Sequence, residues 1–232
     1  AEGNRQPFTE KIPSTQRSNV HSQSIDFPSR QKNPELRNPF VIPGIRNLKI
    51  DSQLNSNYTF DNFIEGECNR LARSAGYAVA NKPGGTAFNP LMIFGGVGLG
   101  KTHLVHAIGN RIKEMSSTKS VLFVSSERFI NQYVDSAKNG NYNDFLHFYQ
   151  MIDVLIVDDV QFLAKKEKTQ EIFFQIFNYL HQNGKQLILT SDRAPKDLKD
   201  VDERLLSRFK WGLSADLQNP DFDTRVSILE QK

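Results

Sequence analysis

The run Gly95-Gly96-Val97-Gly98-Leu99-Gly100-Lys101-Thr102 constrains this chain more than any other stretch. It lies between the apolar run Leu91-Met92-Ile93-Phe94 and a helical-looking run over residues 103–114. The local order therefore reads strand, glycine loop, helix. Glycine has no Cβ, so a turn containing Gly95, Gly96, Gly98 and Gly100 can aim successive backbone N–H groups inward at an anion. The following helix adds its unsatisfied donors and the positive end of its dipole. In such a cradle Lys101 reaches the β- and γ-phosphates of a nucleotide while the Thr102 hydroxyl ligates Mg2+, which is the physical content of the pattern G-x-x-x-x-G-K-[ST]. Without the flanking strand and helix the same residues would make only a tight turn.

A second half-site follows. Val154-Leu155-Ile156-Val157 reads as a buried strand and ends in Asp158-Asp159. Asp158 is placed to hold the Mg2+ shell and Asp159 to orient or deprotonate an attacking water; the alternative is a pair of acids capping a loop. The strand 187–190 ends in Ser191-Asp192-Arg193, where Asp192 or a neighbour could sense the γ-phosphate, although Ser-Asp also commonly begins a turn. Arg204 and Arg208 are four residues apart in a helical run, which presents both on one face. They serve a neighbouring copy's nucleotide site or make an intrachain salt bridge. Lys165-Lys166-Glu167-Lys168, with Val134 on the preceding helix, either holds the backbone of a single strand or is a solvated helix start. His103 adjoins Thr102 and is grouped with the nucleotide-binding residues. His103 and His106 read as helix surface or core residues with no metal-ligand partners.

Composition bounds the rest. With 232 residues, 38% hydrophobic and 24% charged, the chain can bury one core and part of a second. It has no uninterrupted apolar run of roughly 18 residues and no apolar signal-peptide core, so a cytoplasmic protein is expected. Cys68 is the single cysteine, which excludes an internal disulfide and a cysteine-built metal site. Residues 1–50 carry eight Lys/Arg against four Asp/Glu, and the remainder 21 against 22. The basic excess thus lies in the tail and does not mark a nucleic-acid-binding domain. Residues 1–45 are rich in Ser, Asn, Gln, Arg and Pro without regular hydrophobes and read as a disordered linker, with another domain expected before it. Order is expected from about Tyr58, then a helix over 68–80. Further helices are read over 126–138, opened by Ser126, and over 144–150, 168–182 and 202–209. A short one follows Pro195 and a last one begins at Pro220. Strands at 121–124, 154–157, 187–190 and near 211–217 alternate with them, which predicts an α/β domain whose parallel sheet is covered on both faces.

From about residue 57 to the C-terminus the chain resembles the AAA+ domain of the DnaA family of bacterial chromosomal replication initiators. The resemblance rests on YTFDNFIEGECNRLA, NPLMIFGGVGLGKTHLVHAIGN, VLIVDDVQFLAKKEKTQEIFFQIFN, LILTSDRAPKDL and ERLLSRFKWGL. It implies a P-loop NTPase fold of AAA+ type over residues 46–232, with a five-stranded parallel sheet between helical layers. It also implies adenine held near Phe63, Ile64 and Asn69, Asp192 as the sensor and Arg208 as an arginine finger. The insertion over 127–150 would stack subunits into a right-handed filament, with Val134, Lys166 and Lys168 facing single-stranded DNA. Implied ligands are ATP or ADP with Mg2+. The implied activity is an ATP-dependent switch: the ATP form assembles on the origin and melts duplex DNA, and slow hydrolysis turns it off. Asp159 stands where most relatives outside this family carry Glu, and its shorter reach fits a weak ATPase. The chain stops before the family's helical lid, so weaker nucleotide affinity is expected. It also stops before the C-terminal helix-turn-helix domain, so origin duplex recognition is expected to need that missing part. The replicative helicase and acidic phospholipids are further implied partners of the full protein. A helicase loader or regulatory adaptor of the same fold is the rival reading. A P-loop enzyme phosphorylating a small substrate is a third. The SRFKWGL stretch and the long linker favour the initiator.

Overall fold

A computed structural model describes residues 50–231. The linker expected over 1–45 lies outside them. In chain order the elements are α1 (Arg70–Asn81), β1 (Leu91–Gly95), α2 (Lys101–Met115), β2 (Val121–Ser125), α3 (Ser126–Lys138), α4 (Tyr142–Gln150), β3 (Val154–Asp158), α5 (Glu167–Gln182), β4 (Gln186–Ser191), α6 (Glu203–Phe209), β5 (Leu213–Leu217) and α7 (Phe222–Glu230). One-turn 3-10 helices cover Val160–Leu163 and Pro195–Asp197.

The five strands form one parallel sheet in the order β2-β3-β4-β1-β5. β3 and β4 lie inside it and are buried along their whole length, whereas β5 at one edge is partly open. This matches their apolar runs, because a parallel strand covered on both faces has no solvent side on which to alternate polar residues. Side-chain alternation divides the core. Met92, Leu155, Val157, Leu187 and Leu189 point into one layer, with Phe129, Phe145, Phe173, Phe177 and Phe209 from α3 to α6. Leu91, Ile93, Val154, Ile156 and Ile188 point into the other, with α1 and α2. The register pairs Val157 with Leu189 and Phe94 with Ser191. The C-terminal ends of β1, β3 and β4 therefore reach one edge of the sheet together, the edge where ligands bind in open α/β sheets.

Two local expectations are corrected. Order begins before Tyr58: the Ser52 carbonyl accepts from the Phe123 N–H at 2.9 Å, and Leu54 packs into the notch left by Gly109 on α2. A single leucine against a glycine notch gives no periodic signal in the sequence. Ser125, not Ser126, caps α3, its hydroxyl accepting from the Arg128 N–H at 3.3 Å. Ser126 is buried, with its hydroxyl unpartnered. The short helix expected after Pro195 is present as a 3-10 turn over Pro195–Asp197.

Candidate nucleotide site and lysine groove

The glycine loop leaves β1 and enters α2 with Gly98 at φ 81° and Gly100 at φ 92°, a backbone region that residues with a Cβ rarely adopt. A side chain at Gly100 would also meet the Phe63 ring at 3.2 Å. Lys101, 8% exposed, folds its ammonium under the loop and donates to the carbonyls of Gly95 and Gly96, both at 2.9 Å. No carboxylate among the described residues lies within ion-pair distance of it. A buried cation without an anionic partner is costly, so the site is built to receive negative charge.

The two half-sites meet through hydroxyls. Thr102 Oγ1 donates to Asp158 Oδ2 at 2.9 Å, and Thr190 Oγ1 donates to Asp158 Oδ1. Asp158 is 6% exposed. Burial raises its pKa, with the Asp159 charge adding to the rise, against the lowering effect of both threonine hydroxyls and of Lys101. Asp159 sits at φ 59°, in the left-handed region, and lines the neighbouring cleft. Its N–H donates to Thr190 Oγ1 at 2.8 Å, and its Oδ1 accepts from Gln161 Nε2 at 3.0 Å.

Lys101, Thr102, Asp159 and Asp192 line one cleft of about 970 Å³. Asp192 is gripped by Arg193, with Nε to Oδ1 at 2.9 Å and Nη2 to Oδ2 at 2.6 Å, and those hydrogen bonds lower its pKa. The Asp192 N–H donates to Gln161 Oε1 at 3.3 Å, so one glutamine side chain spans the second acid and the β4 tip.

On the other side of the loop, Phe63, Ile64, Asn69 and His103 line a second cavity of about 370 Å³ that shares Gly98 and Gly100 with the first. Asn69 shapes its floor, donating to the Ile64 carbonyl at 2.9 Å and accepting from the Gly66 N–H at 3.0 Å. His103 faces the Thr59 carbonyl at 3.1 Å and Asn62 Oδ1 at 2.9 Å through Nε2. With two acceptors facing it, Nε2 carries the proton, and burial lowers the His103 pKa. His103 thus ties the phosphate-loop helix to the segment over 58–63.

The remaining sequence candidates fall into two groups. Val134, 37% exposed, lies with Lys166 and Lys168 along a groove of about 580 Å³ between α3 and the start of α5. Lys138 and Lys165 add to its positive charge, with Glu167 the one acid in its lining. Arg204 and Arg208 share a face of α6, over the Phe174 ring at 5.1 and 5.6 Å, and neither lines the clefts beside the phosphate loop. The intrachain ion pair holds for Arg204, whose Nη2 meets Asp202 at 2.9 Å, and, among the described residues, not for Arg208. Sequence reasoning passed over Thr190, Gln161, Tyr58 and Asn62. Thr190 had a signal, since a hydroxyl residue ending the strand beside the acidic one must approach the acid pair. The other three lie in segments without periodicity.

Residues 54–216 match the family model described as the bacterial DnaA ATPase domain. Chromosomal replication initiator protein DnaA of Flavobacterium psychrophilum is 69% identical over 228 residues, which is 98% of this chain and 48% of that protein. The chain therefore spans about half the length of this curated relative. Domain III of the Thermotoga maritima replication initiation protein DnaA superimposes with a TM-score of 0.75 at 46% identity, covering 77% of this chain and 74% of that one. A replication initiator DnaA bound to AMPPCP and single-stranded DNA superimposes with a TM-score of 0.73 at 42% identity, covering 77% and 55% of the two chains. On the family match, the sequence identity and the strand-tip geometry together, the chain belongs to the bacterial DnaA ATPase domain family.

Proposed function

We propose that this chain is the nucleotide switch of a chromosomal replication initiator: ATP held at the strand tips lets copies stack on single-stranded DNA, and slow hydrolysis ends that state. The observation that carries the reading is the Thr102–Asp158 contact at 2.9 Å beside the buried ammonium of Lys101, which has no carboxylate partner among the described residues. A hydroxyl and a carboxylate form an all-oxygen donor pair that suits Mg2+, so Thr102 and Asp158 would hold the ion. When bound, Mg2+ would neutralise charge on the phosphate oxygens. Lys101 and the N–H groups of the glycine loop bind the phosphates. Phe63, Ile64 and Asn69 enclose the base. Asp159 accepts a hydrogen bond from the attacking water and orients it, while Asp192 reads the terminal phosphate from the β4 tip. Arg208 acts on the nucleotide of the next copy, a role supported by its position outside its own cleft. The groove of Val134, Lys166 and Lys168 takes the single strand; the ligands named for the AMPPCP- and single-stranded-DNA-bound DnaA support the same pair here.

Lys101→Ala is the direct test. It removes the ammonium from under the loop, and binding of a fluorescent ATP analogue is expected to fall by at least roughly a hundredfold. Wild-type affinity in this variant would refute the cradle.

A further inference from the structure

Arg208 belongs to α6, yet its guanidinium is held from elsewhere. Nε donates to Asn178 Oδ1 on α5 at 2.8 Å, and Cζ lies 3.7 Å from the ring centroid of Trp211, just before β5. Phe174 adds a second ring at 5.6 Å. Arg204, one turn earlier, differs: both Nε and Nη2 engage the Asp202 carboxylate, so its charge is already paired. Arg208 has no carboxylate within ion-pair distance among the described residues, and no hydrogen bond from either Nη occurs among those described. Its flat face and its Nε are occupied while its two-pronged edge stays open.

We propose that Trp211 and Asn178 are positioning residues that hold Arg208 in the rotamer it needs, its open Nη edge offered to the phosphates of a nucleotide bound by a second copy of the chain. The proposal rests on the role of Arg208 in the neighbouring copy's site. A free arginine loses much side-chain freedom when a partner fixes it. A ring stack and one Nε bond remove that freedom before the partner arrives and consume none of the fork that recognises phosphate. A lysine could not be held this way, having neither a planar face nor an Nε to spare.

Trp211 is the one tryptophan of the chain, so its emission reports this contact without a label. Arg208→Ala, without nucleotide, is expected to shift the emission maximum and change its intensity; a spectrum identical to wild type overturns the stack. In sedimentation with ATP and oligo-dT, Trp211→Ala and Asn178→Ala are each expected to raise the concentration needed for assembly roughly two- to fivefold, the size of a half-exposed cation–π contact, Trp211 being 51% exposed, or of one hydrogen bond. Trp211→Phe, which keeps an aromatic face, is expected to recover most of the loss. Should Trp211→Ala unfold, shown by circular dichroism, Asn178→Ala and Trp211→Phe carry the test. Assembly of Trp211→Ala and Asn178→Ala at wild-type concentrations, with Arg208→Ala defective, overturns the positioning role alone. Wild-type assembly by Arg208→Ala, or a wild-type chain that stays monomeric with ATP, overturns the reading of Arg208 itself.

Discussion

His106 is buried in α2, 5% exposed, with its ring 4.0 Å from that of Phe123. Its Nδ1 accepts from the Asn55 N–H at 3.1 Å, so the native state holds the imidazole neutral. Burial, with repulsion from His103 adding to it, lowers its pKa from 6.5 to about 4. Between those values the unfolded chain takes up a proton that the folded chain refuses. This contribution to stability is therefore complete above pH 6.5 and lost as pH falls towards about 4. Over the whole window it amounts to on the order of 3 kcal/mol. Urea unfolding at pH 7.5 and pH 5 is expected to show a lower midpoint at the acidic end, and His106→Gln to shrink that difference; an unchanged difference would assign the pH dependence elsewhere. At this scale the sequence was informative wherever a motif fixes chemistry, as at Lys101, Thr102 and Asp158. It left His106 open between helix surface and core, because its burial depends on Asn55 and Phe123 folding over it from either side in the chain.

The α3–α4 helix pair is joined to the sheet layer by aromatic rings. Phe129 packs edge-on against Tyr149 at 5.0 Å and Phe173 at 5.4 Å, and Phe173 in turn meets Phe209 at 6.3 Å. Phe129→Ala would empty the middle of this chain of contacts, and a loss of about 3–5 kcal/mol in denaturant unfolding is expected. A loss under about 1 kcal/mol would mean that the helix pair is docked by other contacts. The Lys166 and Lys168 end of α5 is fixed beside this helix pair, which is how Val134 comes to share its groove. Charge removal at both lysines is expected to flatten the salt dependence of oligo-dT binding by about 0.7 in log–log slope per lost contact. An unaltered slope returns them to the solvated surface. The strands and long helices were legible because their apolar runs and stripes are decided locally. Element ends were less so: Ser125 and Ser126 are equivalent as letters, and only the turn of the backbone makes the first a cap and buries the second. The stretch over 50–57 was missed for a related reason, since its packing depends on Leu54 meeting a glycine on α2.

For the molecule as a whole, the sheet order gathers the site. With β4 between β1 and β3, the glycine loop, the acid pair and the Asp192 loop end at one edge, and no single element carries more than a part of the cleft. That convergence was readable because each motif ends an apolar run. The outward-facing half of the account was not, because Arg208 stands outside its own chain's cleft and the partner proposed for it belongs to a second copy. The central claim, that nucleotide held at the strand tips decides whether copies stack, is tested most directly by sedimentation velocity of the chain with ATP, with ADP and without nucleotide, each with and without oligo-dT. Species larger than the monomer are expected with ATP, more of them when oligo-dT is present, and none with ADP. The same distribution with ATP and ADP would contradict it.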